Sequence, residues 1–315
     1  MSIRDGITRR GFLASVVAGT ALPKLSASAA PGQASSNSNG AGAVEKDVVY
    51  GKGGKTDLHL DIYRPSTVGQ KRMAVIHFHG GGFGAGSKDN LAQRMNPWTA
   101  QGYVSIAAQY RLSGGAKWPA QMHDVKASIR WTRANAAKLG IDPKKIAVAG
   151  YSAGGHLALF AACTPNRAEF EGEGGNQGIG TDVAACLAYY AVTGPAWNGW
   201  KRAFPLPDGS SDDAWRAAEP GNYIKNSPPT VLFHGLTDVT VPPESSQQFL
   251  QLLREANIPS ELHTFAGVPH EFVQHPEFAQ ATTQIADLFF DRYVLNPRTY
   301  PPFGPGGRGG RGGPA

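Results

Sequence analysis

The chain has 315 residues, of which 41% are hydrophobic, and its formal net charge is +6. Much of that charge lies at the ends: residues 1–30 carry a net charge of +3 and Arg308 and Arg311 add two more, which leaves +1 for the remainder. The part of the chain between the two ends is nearly neutral, which argues against a nucleic-acid-binding surface. The length and apolar content suffice for one large buried core.

The first 30 residues have the pattern of an export signal. Three arginines precede a short apolar run at residues 11–18, and small residues follow at 27–29. This arrangement is typical of a cleavable secretory signal, and Thr8–Leu13 resembles a twin-arginine signal. An arginine pair on an ordinary secretory signal is the alternative. We expect a periplasmic or secreted protein that meets the membrane only during export, since the apolar run is too short to span it.

The composition divides the rest of the chain into three parts. Residues 31–43 are rich in glycine and serine and predict a flexible linker. Residues 44–297 show alternating strand and helix patterns and predict one catalytic domain. Residues 298–315 form a Gly/Pro/Arg-rich tail that cannot bury enough apolar surface to fold.

Short apolar strands alternate with helical patterns through the predicted domain. The first strand, Leu58–Ile62, alternates in polarity and predicts an antiparallel edge strand. The long helix predicted from Pro119 to Leu139 stops at Gly140. Such alternation predicts an α/β fold with a mostly parallel central sheet and helices on both faces. The irregular segment Thr193–Gly221 lies where such folds commonly carry an insertion, and we predict a short cap-like insertion there. The remaining strands are predicted at Met73–Phe78, Tyr103–Ala108, Ile146–Gly150, Val183–Ala191, Thr230–His234 and Glu261–Phe265.

A run of three glycines follows the strand that ends at Phe78. His79 precedes Gly80, Gly81 and Gly82, so the backbone can approach a ligand closely and turn N–H groups towards it. We predict that the Gly81 and Gly82 amides stabilise an oxyanion, with His79 and Gly80 as supporting motif residues. A flexible glycine linker is the alternative, although a linker would not be expected directly after a buried strand.

The segment after the Ile146–Gly150 strand predicts a nucleophile elbow. Ser152 lies between Gly150 and Gly154, and a helical pattern follows. Small neighbours are needed because the serine adopts a strained conformation on a strand–turn–helix connection. Ser152 is the predicted nucleophile, and the Ala153 amide is the third predicted oxyanion donor. The alternative is an ordinary glycine-rich turn.

Two later loops supply a candidate acid and a candidate base. Asp238 follows a strand, where open α/β sheets build their sites, and Glu244 is the fallback acid. His270 follows the last predicted strand. We rank it above His263, which lies within that strand, and above His275, which precedes a proline. The chain order serine, aspartate, histidine is the order that this type of hydrolase uses.

Together these motifs resemble the α/β-hydrolases of the hormone-sensitive-lipase-like and bacterial esterase group, over about residues 44–294. Tyr151 stands where hormone-sensitive-lipase-like members usually carry aspartate, and Ser113–Lys117 replaces their proline-acid step. Both departures favour the neighbouring group of bacterial esterases that resembles feruloyl and acetyl esterases. The motifs that carry the resemblance are His79–Gly82, Tyr110–Leu112, Trp118–Ala120 with Asp124, the Gly150–Gly154 elbow, and the Asp238 and His270 loops.

The resemblance implies a serine carboxylesterase that works through an acyl-enzyme without a cofactor. The signal pattern adds export, and the aromatic insertion described below favours a small-molecule or carbohydrate-linked ester. Amidase, arylformamidase or peptidase activity on the same triad is the alternative within enzymes. A non-catalytic binding protein is the alternative from another class. His77 and His79 share one strand end, but no cluster has metal-ligand spacing, so we expect no metal.

The predicted insertion is rich in aromatic residues. Trp197, Trp200, Phe204 and Trp215 could stack on a sugar or a phenolic acyl group, or they could anchor the segment on the core. The two cysteines, Cys163 and Cys186, are compatible with either a disulfide or two buried thiols.

Overall fold

The computed structural model of the protein describes residues 41–66, 71–194 and 198–300. The predicted signal peptide, most of the predicted linker and most of the predicted tail lie outside these residues. The first strand begins at Ala41, so the last three residues of the predicted linker belong to the sheet instead. Within the described ranges, no helix has the length and apolar character needed to cross a membrane.

Eight strands of the described residues form one sheet in the order β1-β2-β4-β3-β5-β6-β7-β8. β2 pairs antiparallel with both of its neighbours, β1 and β4. All the other pairs of the sheet, from β4–β3 to β7–β8, are parallel. The prediction of a mostly parallel sheet is confirmed. The strands are β1 Ala41–Gly53, β2 Thr56–Pro65, β3 Ala74–Phe78, β4 Val104–Ala108, β5 Ile146–Tyr151, β6 Ala185–Tyr189, β7 Thr230–Gly235 and β8 Ser260–Phe265.

The predicted edge strand is not at the edge. β2 contains that segment, but β1 pairs along its outer side through registers such as Val44 with Tyr63 and Val48 with Leu60. β1 escaped prediction because its alternation is interrupted by glycines and by register shifts in the pairing. A strand with bulges loses the two-residue period on which sequence patterns depend.

Helices connect the strands and cover both faces of the sheet. The predicted helix from Pro119 to Leu139 is divided at Asn135 into two helices, and Gly140 ends the second with a φ of 72°. The α-helices are α1 Met95–Ala100, α2 Ala120–Ala134, α3 Ala136–Leu139, α4 Ala153–Cys163, α5 Ala168–Glu171, α6 Trp200–Ala203, α7 Asp212–Ala217, α8 Glu244–Glu255 and α9 Pro276–Phe290.

The core lies in two layers, one on each face of the sheet. On β5, Ile146 and Val148 belong to one buried cluster, whereas Ala147 and Ala149 belong to the other. The first cluster includes side chains of α2 and α4, and the second includes side chains of α1 and α9. Because both faces are covered, the central strands are apolar throughout, as parallel strands generally are.

Candidate active site

The loops that follow β3, β5, β7 and β8 carry the predicted site residues. These strands run in parallel, so the loops meet at one edge of the sheet, outside the carboxyl ends of the strands. Ser152 comes directly after β5, and Asp238 and His270 follow β7 and β8 within a few residues. Residues 118 positions apart in the chain thereby come into contact.

Ser152 occupies a sharp turn between β5 and α4. Its φ of 54° and ψ of −116° are rarely adopted by residues other than glycine. The turn is tight because a Cβ on Gly150 would lie 2.0 Å from the Gly154 oxygen, and a Cβ on Gly154 would lie 2.2 Å from the Phe78 oxygen. The two glycines are therefore required by close backbone contacts, as the elbow motif predicted.

A chain of hydrogen bonds joins three of the predicted residues. The Ser152 Oγ lies 2.9 Å from His270 Nε2, and His270 Nδ1 lies 2.6 Å from Asp238 Oδ2. With Nδ1 protonated towards the carboxylate, Nε2 is free to accept the serine proton. This is the arrangement in which a histidine can act as a general base towards a serine.

Asp238 is held by donors on both carboxylate oxygens. Oδ1 accepts the amides of Thr240 and Val241, both at 2.9 Å, while Oδ2 accepts His270 and lies 3.2 Å from His234 Nε2. Burial alone would raise the pKa of Asp238. The hydrogen bonds from His234 and His270 outweigh it and hold the pKa well below its usual value.

His234 is a buried second histidine on the same carboxylate. Its Nε2 also lies 3.0 Å from the Val241 oxygen, and because a carbonyl only accepts, this nitrogen carries the proton. Its Nδ1 lies 2.7 Å from the Ser246 hydroxyl on α8. Sequence analysis did not select this residue. The signal was its position at the end of β7, four residues before the acid.

The glycine loop after β3 lies against the elbow. A Cβ on Gly80 would lie 3.3 Å from Ser152 Cβ, and Gly81 has a φ of +113° that excludes larger residues. Within the described ranges, the amides of Gly81, Gly82 and Ala153 donate to no other backbone carbonyl. These three N–H groups are the ones predicted as oxyanion donors. Among the described residues, no backbone carbonyl accepts a hydrogen bond from them.

His79 stabilises the conformation of the glycine loop that it begins. Its ring stacks on Tyr110 at 4.3 Å, and its Nδ1 donates to the Gly80 oxygen at 2.7 Å. Burial lowers the pKa of His79 to about 4, so the ring is neutral near pH 7. The side chain fixes the loop conformation and carries no charge into the site.

The fallback residues lie apart from this hydrogen-bonded chain. Glu244 is exposed at the first turn of α8, where a carboxylate complements the helix dipole. His263 pairs with Glu261 on β8, and His275 is exposed before α9. Asp238 and His270, which were ranked above these residues, form the hydrogen-bonded chain with Ser152.

Comparison with known proteins identifies the family. The family model described as BD-FAE matches residues 60–253, which run from β2 to α8 and include Ser152 and Asp238. The chain belongs to the BD-FAE family. The matched segment ends before His270, whose position is therefore known from the fold of this chain and not from the family model.

Proteins of similar sequence agree with BD-FAE membership. The chain is 31% identical over 228 residues to the esterase LipQ of Mycobacterium tuberculosis, covering 68% of this chain and 53% of that protein. It is also 31% identical over 213 residues to the esterase LipC of the same organism, covering 62% and 52%. The chain thus spans about half the length of these curated relatives.

Solved structures extend the likeness over the whole domain. A thermophilic esterase, Est2 from the Planctomycetes species Thermogutta terrifontis, superposes with a TM-score of 0.68 at 29% identity, covering 83% of this chain and 96% of that one. A truncated carbohydrate esterase from gut microbiota gives a TM-score of 0.69 at 25% identity, covering 82% and 98%. The α/β-hydrolase fold of this BD-FAE member and its resemblance to the esterase group are confirmed.

Two aromatic residues of the insertion belong to the core of this BD-FAE domain. Trp200 and Phe204 are buried, and Phe204 packs edge-on against Phe83 at 5.1 Å and close to Trp118 at 5.0 Å. Their rings are therefore not available to stack on a substrate. Trp215 packs against Trp200 at 5.9 Å and is partly buried. Trp197 lies outside the described residues.

Tyr151 and the two cysteines are buried in the core. Tyr151, which precedes the elbow serine, is buried and stacks on Tyr189 at 4.7 Å. Cys163 and Cys186 are both buried free thiols, without a disulfide.

Tyr190, which sequence analysis did not select, packs edge-on against the His270 ring at 4.7 Å and limits the movement of that ring.

Replacement of Gly154 by alanine tests the close packing of the elbow. The new Cβ would lie 2.2 Å from the Phe78 oxygen and 2.4 Å from the His79 oxygen, so α4 or the glycine loop must move. We expect the free energy of unfolding to fall by about 1–3 kcal/mol or more, measured by urea denaturation. Gly114→Ala is the matched control, because a Cβ there meets nothing within 4 Å. Equal losses in both variants would contradict the tight elbow.

Proposed function

We propose that the protein is a serine carboxylic ester hydrolase, with Ser152 as nucleophile, His270 as general base and acid, and Asp238 as the orienting carboxylate. The hydrogen-bonded chain from Ser152 through His270 to Asp238 carries this proposal. The names of the similar proteins, which are esterases, support it independently.

The reaction would proceed in two acyl-transfer steps. His270 Nε2 removes the Ser152 proton as the Oγ attacks the ester carbonyl, and Asp238 stabilises the imidazolium that results. The protonated His270 then gives that proton to the leaving alcohol, which leaves an acyl-serine. Water repeats the sequence on the acyl-enzyme and releases the carboxylic acid, and the free serine is restored.

Negative charge develops on the carbonyl oxygen in both steps. The amides of Gly81, Gly82 and Ala153 are the proposed donors to it. Preorganised donors of this type each contribute about 3–4 kcal/mol of transition-state stabilisation. The tight turn of the glycine loop, in which the Gly81 oxygen accepts the Gly84 and Ala85 amides at 3.1 and 3.0 Å, keeps the loop rigid before substrate arrives.

Hydrolysis of p-nitrophenyl acetate, butyrate and octanoate by the full chain tests the proposal. We expect activity in the wild type that is lost in Ser152→Ala and retained in Ser210→Ala, since Ser210 only bonds the nearby Pro207 oxygen. The chain-length profile reports the size of the acyl site. Equal rates in wild type and Ser152→Ala would contradict the nucleophile assignment.

Labelling with a fluorophosphonate separates an enzyme from a binding protein of the same fold. The reagent reacts with an activated serine and needs no knowledge of the natural substrate. We expect one equivalent at Ser152 and none in Ser152→Ala. A wild type that neither hydrolyses these esters nor takes up the label would support the non-catalytic alternative.

We also propose that the natural substrates are acetyl or feruloyl esters of carbohydrates. The likeness to the gut-microbial carbohydrate esterase supports this, whereas the buried insertion rings Trp200 and Phe204 do not. Acetate release from acetylated xylo-oligosaccharides, compared with ferulate release from methyl ferulate, measures the preference. Release of acetate and of ferulate no faster than in Ser152→Ala, by a wild type that hydrolyses p-nitrophenyl acetate, would contradict a carbohydrate substrate.

Export is the third part of the proposed function. The arginine pair at residues 9 and 10, followed by the short apolar run, supports a twin-arginine route to the periplasm or medium. Cell fractionation of the full chain and of Arg9→Lys/Arg10→Lys tests this route. We expect the variant to stay in the cytoplasm, and equal export of both would point to an ordinary secretory signal.

A further inference from the structure

A large cavity opens beside the proposed triad. Its volume is about 1030 Å³, and one wall is formed by His79, Gly80 and Gly81 of the glycine loop. The opposite walls come from the segment that leads into α1, from Glu271 and from α9. The lining is rich in side-chain amides, namely Asn90, Gln93, Asn96, Gln101, Gln274 and Gln280.

Arg94 is the cation of this cavity. The guanidinium carbon lies 4.4 Å from the centre of the Tyr151 ring, so the group lies over the residue that precedes Ser152. In the described part of the chain, no carboxylate lies within 4.0 Å of the guanidinium, and its hydrogen-bonding neighbour is the hydroxyl of Tyr190. By contrast, the partly buried Arg111 binds Asp124 through both carboxylate oxygens.

Glu271 is the charged residue on the opposite side. It directly follows His270, has a φ of 60°, and its Oε1 lies 3.6 Å from the Cβ position on Gly80. Its carboxylate accepts the Gln274 amide and does not reach Arg94 within 4.0 Å. A third charged residue, Asp89, lies 3.4 Å from Lys88 Nζ, which also pairs with Asp47 and Asp61.

A stacked arginine keeps its N–H edge free for a planar ligand. Cation–π contact uses the face of the guanidinium, whereas the fork of N–H donors matches the two oxygens of a carboxylate. Hydrogen bonds between ionised partners are stronger than neutral ones, and the amide-rich walls can bind the polar atoms around such a group. Gly80 of the glycine loop lines the cavity, and its Cβ position lies 3.3 Å from Ser152 Cβ, so one wall of the cavity lies against the proposed nucleophile.

We propose that Arg94 binds a carboxylate carried by the ester substrate, and that this cavity selects esters whose acyl or alcohol part is anionic. The proposal rests on the proposed function and adds the substrate class to it. Arg94 acts as a specificity-determining residue, and Glu271 opposes it by repelling the same anion.

Two matched substrate pairs test this selectivity. p-Nitrophenyl hydrogen adipate against p-nitrophenyl hexanoate places the charge on the acyl side, and 4-acetoxybenzoate against 4-acetoxybenzamide places it on the alcohol side. We expect the anionic-to-neutral ratio of kcat/KM to fall about 10- to 100-fold in Arg94→Met for one of the pairs, as the loss of a charged hydrogen bond predicts. The pair that responds identifies the side that enters the cavity.

Companion variants separate charge from packing. Arg94→Lys should keep part of the preference, and Glu271→Gln should raise it by removing the repulsion. Arg202→Met, at an exposed position on α6, should leave both ratios unchanged. Unchanged ratios in Arg94→Met, with neutral esters still hydrolysed through Ser152, would overturn the carboxylate assignment without touching the proposed function.

Binding measured without turnover keeps the two proposals apart. In the Ser152→Ala background, the same four esters can be titrated by calorimetry. We expect the anionic member of one pair to bind about 10-fold or more weakly when Arg94→Met is added. Equal binding would overturn the inference, whether or not the wild type proves to be an esterase.

Discussion

His270→Ala is expected to lower kcat on p-nitrophenyl acetate by about 10⁴-fold or more, since loss of the base from such a triad removes nearly all of its action. The physical reason is that His270 Nε2, 2.9 Å from the Ser152 Oγ, is the group placed to take the serine proton. KM should change little, because the imidazole binds no substrate in the ground state. Steady-state kinetics on purified variants measures both constants.

His275→Ala is the matched control for this experiment. It removes an exposed imidazole five residues along the chain that makes no side-chain cap contact with α9. We expect kcat within about twofold of wild type, as for most exposed substitutions. If His275→Ala lost activity and His270→Ala kept it, the assignment of the base would be wrong.

Asp238→Asn is expected to lower kcat by about 10⁴-fold while the protein still folds. An amide in place of the carboxylate can present N–H groups to His270 Nδ1, which then accepts instead of donating. The proton moves to Nε2, and the nitrogen that faces Ser152 can no longer act as a base. Steady-state kinetics of Asp238→Asn against wild type measures this loss.

Glu244→Gln is the matched control, because this exposed carboxylate begins α8 without joining the hydrogen-bonded chain. We expect it to keep activity. Full activity in Asp238→Asn, or an equal loss in Glu244→Gln, would contradict the role of Asp238.

Asp238→Asn should also change how stability depends on pH. Donors from His234, His270 and Val241 hold the folded-state pKa of Asp238 below its unfolded value of about 3.9. Ionised Asp238 therefore stabilises the fold above about pH 4, and that contribution is lost as pH falls towards the folded pKa. Urea denaturation should show the variant less stable than wild type at pH 7, with a smaller difference in acid.

Local sequence pattern was sufficient for the central features of the fold and site. A strand followed by Gly-x-Ser-x-Gly has few conformations open to it, because a Cβ on Gly150 or Gly154 would lie only 2.0–2.2 Å from a backbone oxygen. The parallel strands were readable for a similar reason, since strands covered on both faces are apolar throughout. Loops that follow such strands come together at one edge, so Asp238 and His270 could be selected as well.

Other features depend on contacts between distant segments. The aromatic insertion could have faced substrate or core. Only the packing of Phe204 on Phe83 and Trp118, with Trp200 against Phe204, decided it. β1 was hidden by glycines and bulges, and its place at the edge follows from pairing with β2.

The fold class and the three residues that form the hydrogen-bonded chain could be predicted from local sequence, because each of these residues is specified by the strand and turn beside it. Tertiary structure alone decided the surroundings: His234 beside Asp238, Tyr190 against His270, and Arg94 over Tyr151 in the cavity. These neighbours come from separate segments of the chain. The spacing of residues within one segment cannot predict which side chains will meet when the sheet and the helices pack.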